Sequence, residues 1–426
     1  MAQLKPFKAL RFTEKAGEIS KLCCPPYDII SEAERKAYIE ENEHNIIRLE
    51  LPREGENPYQ QAAETLKQFE AEGMLKCDDT EKVYIYGESF NVDGVDYAFK
   101  GIIARVKLEE FSKKIVLPHE ETLSKAKADR FELMKATMCN FSQIYSLYHD
   151  DNASTGDLIE KLSAGAPEQR FTDAEGTTHS LWTVEGEAAT QLCEQFAERR
   201  LYIADGHHRY ETALNFRNWL RENGKAVEGD ECDYCMMMLV AMDSPGLVVF
   251  PTHRIVRDLP DFDTNKLLES CKGTFDIESV GADNVKALLK SRYEAGEKAF
   301  AMYDGKEYNL LTLKDYSVLD AVCPDCSRSL KELDVTVLHT LVLEKVLGID
   351  KANMAAQINL TYTRVFDEAV EAVDSGVANC SFLMNPTKVE EISMVASAGE
   401  KMPQKSTYFY PKLITGLVMN KFGEIE

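Results

Sequence analysis

The stretch Leu201-Tyr202-Ile203-Ala204-Asp205-Gly206-His207-His208-Arg209-Tyr210-Glu211-Thr212-Ala213 constrains the fold more than any other part of the chain. An apolar run reaches one acidic residue and one glycine, and a helix-forming run follows, so the pattern predicts a strand that feeds a helix through a tight turn. The first turn of such a helix has backbone N–H groups without intrahelical partners and carries the positive end of the helix dipole, so an anion is stabilised there. Gly206 lets the backbone approach closely, and Arg209 can fork onto phosphate oxygens. Asp205 reads in two ways: as the N-cap of the helix, or as a carboxylate that holds a histidine or a metal ion beside the anion.

Composition excludes several partners. The 72 acidic residues outnumber the 49 basic ones, giving a formal charge of −23 that repels nucleic acid and anionic membrane surfaces. No local basic cluster offsets it, so neither partner is expected. The longest apolar run, roughly Met236 to Met242, is too short to cross a bilayer, and Met1 to Lys8 lacks the apolar core of a signal peptide. A cytoplasmic protein is therefore expected. Eleven cysteines, an odd number, suit free thiols in a reducing compartment better than a disulfide framework. Two pairs, Cys232-Asp233-Tyr234-Cys235 and Cys323-Pro324-Asp325-Cys326, have the spacing of zinc knuckles. They lie far apart in sequence, however, and Cys232 and Cys235 run into the apolar segment Met236 to Val240, which burial explains. No metal site is assigned.

With 426 residues, 44% of them hydrophobic, the chain can bury one large core or two to three domains. Three stretches are expected. Residues 1–257 alternate short strands and helices as a mixed α/β core that carries the Asp-Gly-His-His-Arg loop. Its strands are predicted at Lys82 to Gly87, Phe99 to Lys107, Leu201 to Ala204 and Gly246 to Phe250; its helices at Ser31 to Asn42, Pro58 to Glu72, Ala126 to Thr137, Glu185 to Glu198 and Tyr210 to Asn223. Residues 258–330 read as a small α/β insert with a helix near Asn284 to Gly296 and a hairpin from Phe300 to Tyr308 turning at Asp304-Gly305. Residues 331–426 form a C-terminal α/β segment, with helices near Val335 to Val346 and Val365 to Ser375, a strand at Ala378 to Met384 and the tail Met402 to Lys412.

The chemistry gathers in four islands. Besides the histidine loop there is Leu117-Pro118-His119-Glu120-Glu121-Thr122, followed by Lys125, Lys127, Asp129 and Arg130. A histidine beside two carboxylates offers a general base or a metal ligand, and the cations could reach phosphate. The third island is Pro251-Thr252-His253-Arg254 at a strand end, and the fourth is Lys405-Ser406-Thr407 with Tyr408, Tyr410 and Lys412. Cations and hydroxyls around a glycine turn suit the spread negative charge of a phosphoryl group in transfer. Cys23-Cys24-Pro25-Pro26-Tyr27-Asp28 reads as a rigid turn. The chain contains no GxxxxGK[ST], GxGxxG, HExxH or GxSxG motif, so any nucleotide is held by another scaffold.

Pro6 to Arg11, Pro25 to Asp28, Leu117 to Thr122, Ala204 to Glu211, Pro251 to Arg254 and Met402 to Lys412, in that order, resemble the signature blocks of the bacterial and archaeal family catalogued as domain of unknown function 1015. Gly206, His208 and Arg209 also resemble the Gly-x-His-Arg loop of the ParB and sulfiredoxin superfamily. There a nucleotide phosphate rests on a helix start, and the superfamily includes small-molecule serine kinases. His207 stands where sulfiredoxin has its cysteine, which speaks against thiol chemistry. The resemblance implies a ParB/sulfiredoxin-like nucleotide-binding core and phosphoryl transfer from a nucleotide to a small hydroxyl acceptor, with free L-serine as the candidate.

The mechanism expected from this combination places ATP or ADP, with Mg²⁺, on Gly206, His208 and Arg209. His253, Arg254, Lys405, Ser406 and Thr407 complete the nucleotide site, with Arg254 and Lys405 stabilising the developing charge. Glu120 or Glu121 takes the proton of the acceptor, aided by His119, while Asp205 orients His207 or holds the metal. Two alternatives stay open: a phosphohydrolase of a small phosphoester such as phosphoserine, and a ParB-like nucleotide-binding regulatory module without metabolite turnover.

Overall fold

The apolar run at Leu201–Asp205 is a strand whose first four residues are buried, and it lies one place from the edge of a nine-stranded mixed sheet. The computed structural model that shows this describes residues 1–120, 122 and 124–423, with the backbone alone for 124–126. The chain forms two compact units. The first comprises Met1–Pro118, Thr122–Val248 and Pro411–Glu426, and the second His119–Glu121 and Val249–Tyr410.

In the first unit the strands run in the order Val116–Leu117, Leu201–Asp205, Ile144–Tyr148, Tyr234–Ala241, Val95–Lys107, Lys82–Val92, Thr178–Glu185 and Gln169–Thr172, with Leu4–Lys5 added beside Val95–Lys107. Strand 201–205 pairs parallel with 116–117 and antiparallel with 144–148. The latter register slips between Ile203 and Asp205, a bulge of the kind that re-aims a side chain at a strand end. Helix His207–Glu222 follows at once. It buries Tyr210, Ala213, Leu214, Phe216, Arg217 and Leu220, a helical stripe that packs on the sheet's apolar core. Tyr210, fully buried, fixes the helix by donating its hydroxyl to the Glu109 carbonyl and accepting from the Glu109 N–H, both at 2.9 Å.

The second unit is built on an antiparallel sheet of six strands in the order Phe275–Val280, Tyr308–Leu313, Ala299–Tyr303, Cys380–Leu383, His253–Val256 and Leu360–Thr363. This corrects the three-stretch expectation. One sheet draws strands from all three stretches, so the boundaries at 257 and 330 fall inside a single unit, and the last residues belong with the first unit. The hairpin is as read: Tyr303 faces Tyr308 across a turn in which Gly305 has φ +87°. Ser31 caps helix Glu32–Glu41 with a reciprocal capping box. Several predicted elements come out shorter or altered. The strand at Gly246 to Phe250 shrinks to Val248–Val249, and the helix near Val335 to Val346 is α-helical at Asp334–Leu338 and π-helical at His339–Glu344. Among the described residues no helix is long and apolar enough to cross a membrane.

Candidate functional site

In the first unit the functional loop is organised by its glycine. Gly206 has φ +91° and serves as the N-cap of helix 207–222 without any side-chain cap. A Cβ there would lie 2.9 Å from Arg209 Nε, because the guanidinium folds back over the glycine. Arg209 donates through Nη2 to Asp205 Oδ2 at 2.7 Å and through Nη1 to the Gln143 carbonyl at 2.6 Å. The other carboxylate oxygen of Asp205 accepts from Lys412 Nζ at 2.6 Å. Burial alone would raise the Asp205 pKa, yet Lys412, Arg209 and His207 together hold it well below the usual carboxylate range. Asp205 is therefore neither the N-cap nor a partner of a histidine side chain alone; its carboxylate is the bracket that gathers Arg209 and Lys412. His207 is buried, while His208 and Arg209 are half-buried at the helix start.

Behind this loop lies a second charged layer. Arg130, 5% exposed, donates to Asp129 Oδ2 at 2.6 Å, lies 3.8 Å from Glu50 and stacks over the Tyr27 ring at 4.0 Å. Burial pushes the Glu50 carboxyl upward against the pull of Arg130, a Ser142 hydrogen bond and Arg209. Glu50, Arg130, Ser142 and Arg209 line a cavity of about 40 Å³. Arg130 and Lys127, expected to reach phosphate, are instead committed inside the unit: Lys127 donates to Glu211 at 2.6 Å, beside Thr122, which donates to the same carboxylate at 2.8 Å. The side chain of Lys125 lies outside the described residues.

In the second unit, His119 and Glu120 are tied to the tail. His119 is fully buried, and its Nε2 lies 2.9 Å from Thr407 Oγ1. Its carbonyl accepts from the Met402 N–H at 2.7 Å, and Glu120 Oε1 accepts from the Lys405 N–H at 2.9 Å. Lys405 sits in the left-handed region at φ +58°, with its side chain exposed. Ser406 donates to the Pro403 carbonyl at 2.5 Å, while its own carbonyl accepts from Thr387 at 2.7 Å. Glu121, the alternative base, lies outside the described residues.

Arg254, 2% exposed, props this tail from beneath. It donates to the Lys405 carbonyl at 3.1 Å, to His339 Nε2 at 3.3 Å and to the Thr252 carbonyl. Burial lowers its pKa to about 10, against the raising influence of Tyr362 and Glu120. With its donors directed at interior acceptors, Arg254 is placed to shape the loop, where the sequence suggested direct contact with phosphate. His253 points away from that cluster: its Nδ1 accepts from the Met384 N–H at 3.0 Å, and burial, with Arg254 and Lys286, lowers its pKa to about 4. His339 begins the π-helical segment, a local irregularity frequent at functional sites.

The sequence placed Asp205, Gly206 and Arg209 on one loop; that His119, Glu120, Arg254, Lys405, Ser406 and Thr407, read as separate islands, share one network is a finding of the structure. The sequence named Lys412 only as a cation of the fourth island, not as a partner of Asp205, and gave no role to Gln143, Glu50 or His339. Glu50 did leave a signal, an acidic residue inside the apolar run Ile46-Ile47-Arg48-Leu49-Glu50-Leu51. Among the described residues no group of three or more His, Cys, Asp or Glu side chains is arranged to hold a metal ion. The two CxxC pairs differ: Cys232 and Cys235 are free and buried, whereas Cys323 and Cys326 are bonded to each other, against the expectation of free thiols throughout.

A family model described as protein of unknown function (DUF1015) matches residues 4–336. Similar solved structures include a conserved hypothetical protein from Pyrococcus furiosus, at 14% identity and TM-score 0.37, covering 75% of this chain and 95% of that one. Others are a free serine kinase in complex with AMP, at 15% identity and TM-score 0.37, covering 76% and 91% of the two chains, and a mutant free serine kinase in complex with ADP, at 14% identity and TM-score 0.38 with the same coverage of 76% and 91%. No curated protein matches the sequence.

Proposed function

This chain belongs to the DUF1015 family, and on that footing we propose that it is a nucleotide-dependent phosphotransferase acting on a small hydroxyl metabolite, with free L-serine as the candidate acceptor. The supporting observation is the Gly206 turn: a left-handed glycine opens a helix of 16 residues, with Arg209 and Lys412 gathered on Asp205 beside it. The positive end of a helix dipole at a glycine-opened helix start and a guanidinium oriented in advance are the features that recognise a polyphosphate. ATP or ADP is the proposed donor, with its phosphates at Gly206, His208 and Arg209 and with His207 behind them.

Mg²⁺ keeps most of its waters and binds through phosphates and one or two carboxylates. It would therefore arrive with the nucleotide and neutralise phosphate charge; both oxygens of Asp205, the carboxylate of this loop, already accept from Arg209 and Lys412. In the second unit Glu120 is proposed to take the acceptor proton, and the exposed Lys405 ammonium to offset developing charge. His119, Arg254, Ser406 and Thr407 act as positioning residues, since each has a hydrogen bond to or within the segments carrying Glu120 and Lys405, whereas His253 is held by the Met384 N–H.

The test is incubation with ATP, ADP or CTP, Mg²⁺ and serine, and separately with phosphoserine. Phosphoserine that forms only with both nucleotide and serine supports the proposal. Arg209→Ala should weaken nucleotide binding, whereas Glu120→Gln should lower turnover with binding intact; variants as active as the wild type would overturn these roles. Phosphate released from phosphoserine would point to a hydrolase. Nucleotide binding without any product would point to a regulatory module.

A further inference from the structure

We propose that Cys323 and Cys326 form a reversible dithiol–disulfide pair whose state is transmitted to the Glu400–Thr407 tail. The two residues, three apart in sequence, have Cα atoms 5.5 Å from each other, inside the roughly 4.4–6.8 Å span that a disulfide bridges. Both are half-buried, and the intervening Pro324 and Asp325 are exposed, so a small thiol reagent can reach the loop. The other cysteine pair is unlike this one. Cys232 and Cys235 are buried and free, and burial pushes Cys232 up to about 11, which suppresses the thiolate that exchange chemistry needs.

The route to the tail is short. Ser327, next to Cys326, caps helix Arg328–Lys331 by accepting the Leu330 N–H at 3.2 Å. The backbone N–H of Ser327 donates to Glu400 Oε1 at 2.8 Å, so Glu400 is held by the same turn that carries Cys326. Two residues further on, Met402 bonds to the His119 carbonyl, and the Lys405 N–H bonds to Glu120. Opening or closing the Cys323–Cys326 ring changes the conformational freedom of residues 323–327 and therefore of the donor that fixes Glu400.

The exchange balances with a small-molecule disulfide as oxidant. One thiolate of the pair attacks a sulfur of that disulfide and expels the first thiolate. The second cysteine then attacks the resulting mixed disulfide and expels the other. Two electrons pass to the oxidant, and the protons of the two cysteine thiols end on the released thiols. A dithiol reductant reverses both steps.

The experiment equilibrates the full-length protein in reduced and oxidised dithiothreitol mixtures, maps alkylated cysteines by peptide mass spectrometry, and follows amide hydrogen exchange over residues 400–407. The pair should lose two alkylation sites together on oxidation, while the peptide with the exposed Cys77 stays labelled. Exchange over 400–407 should slow at least threefold. The double variant Cys323→Ser, Cys326→Ser should show the reduced rate in both buffers. A pair that stays alkylatable in the oxidised mixture, a tail whose exchange does not change, or a double variant that still responds would each overturn the proposal. The consequence for Glu120 rests on its proposed role, but neither readout uses turnover, so failure of the phosphotransferase assignment is seen separately.

Discussion

In the first unit a single carboxylate, Asp205, gathers a guanidinium and an ammonium at a half-buried helix start, whereas in the second a single guanidinium, Arg254, lies buried among carbonyls and an imidazole. The histidines repeat the contrast. His179 of the first unit stays charged up to a pKa of about 9: burial opposes the charge, but hydrogen bonds and attraction from Asp173 and Glu88 prevail. His253 of the second is held neutral down to about 4 by burial and by the cations Arg254 and Lys286. The three side chains at the helix start keep 10–19% exposure and pair mainly with one another, so an arriving anion can take over some of their contacts. A charge buried on backbone carbonyls cannot yield its contacts in this way, because any departure leaves unsatisfied acceptors in the interior. The first arrangement suits binding, and the second suits holding a loop in place.

The sharpest way to break this contrast is to remove each arginine in turn. Arg254→Ala leaves the Thr252 and Lys405 carbonyls and His339 without their donor, and should cost roughly 3–4 kcal/mol in urea unfolding. Arg209→Ala leaves the Gln143 carbonyl without that donor but keeps Lys412 on Asp205, and should cost about 2 kcal/mol while weakening nucleotide binding at least tenfold. Equal stability losses for the two would erase the distinction. Next in size is Gly206→Ala. The left-handed φ of +91° and the 2.9 Å approach to Arg209 predict roughly 1–2 kcal/mol of destabilisation, together with a displaced guanidinium and weaker nucleotide affinity.

The histidines sharpen the comparison through pH. Since the folded pKa of His179 lies above the ordinary value of about 6.5, its contribution is complete below that pH and is lost as pH rises through about 9. His253 has the opposite sign: its folded pKa lies below the ordinary value, so its contribution is complete above about 6.5 and is lost as pH falls through about 4. Unfolding free energies across pH should lose a slope of up to about 1.4 kcal/mol per pH unit on the alkaline side in His179→Gln and on the acid side in His253→Gln. Slopes unchanged by the substitutions would show that these charges do not couple to folding. The smallest effect belongs to Thr407→Val, which removes one hydrogen bond to His119 and should cost about 1 kcal/mol by thermal unfolding.

Local chemistry explains which parts were readable in the sequence. The strand–glycine–helix turn at 201–213, the Asp304-Gly305 hairpin and the helix that begins after Ser31 all depend on neighbours within a few residues, so their patterns are complete in the chain. Asp205's true partners are not of that kind. Lys412 lies 207 positions away, and the Gln143 carbonyl that orients Arg209 lies 66 positions away. Arg254 looked like a strand-end cation, because burial under the Lys405 carbonyl, 151 positions on, leaves no local mark. The boundaries at 257 and 330 cut through one sheet for the same reason: pairing of Ala299–Tyr303 with Cys380–Leu383, and of the latter with His253–Val256, joins strands far apart in the sequence. Tyr210 reads as one more aromatic in a helix until its bonds to Glu109 are seen.

Calorimetric titration of the wild type and of Arg209→Ala with ATP and with ADP, at fixed Mg²⁺ and ionic strength, tests most directly whether the Gly206–Arg209 turn holds a nucleotide. Saturable heat from the wild type, with at least a tenfold weaker dissociation constant in the variant, is the predicted result. No heat with either nucleotide, or equal affinity in both proteins, would contradict it.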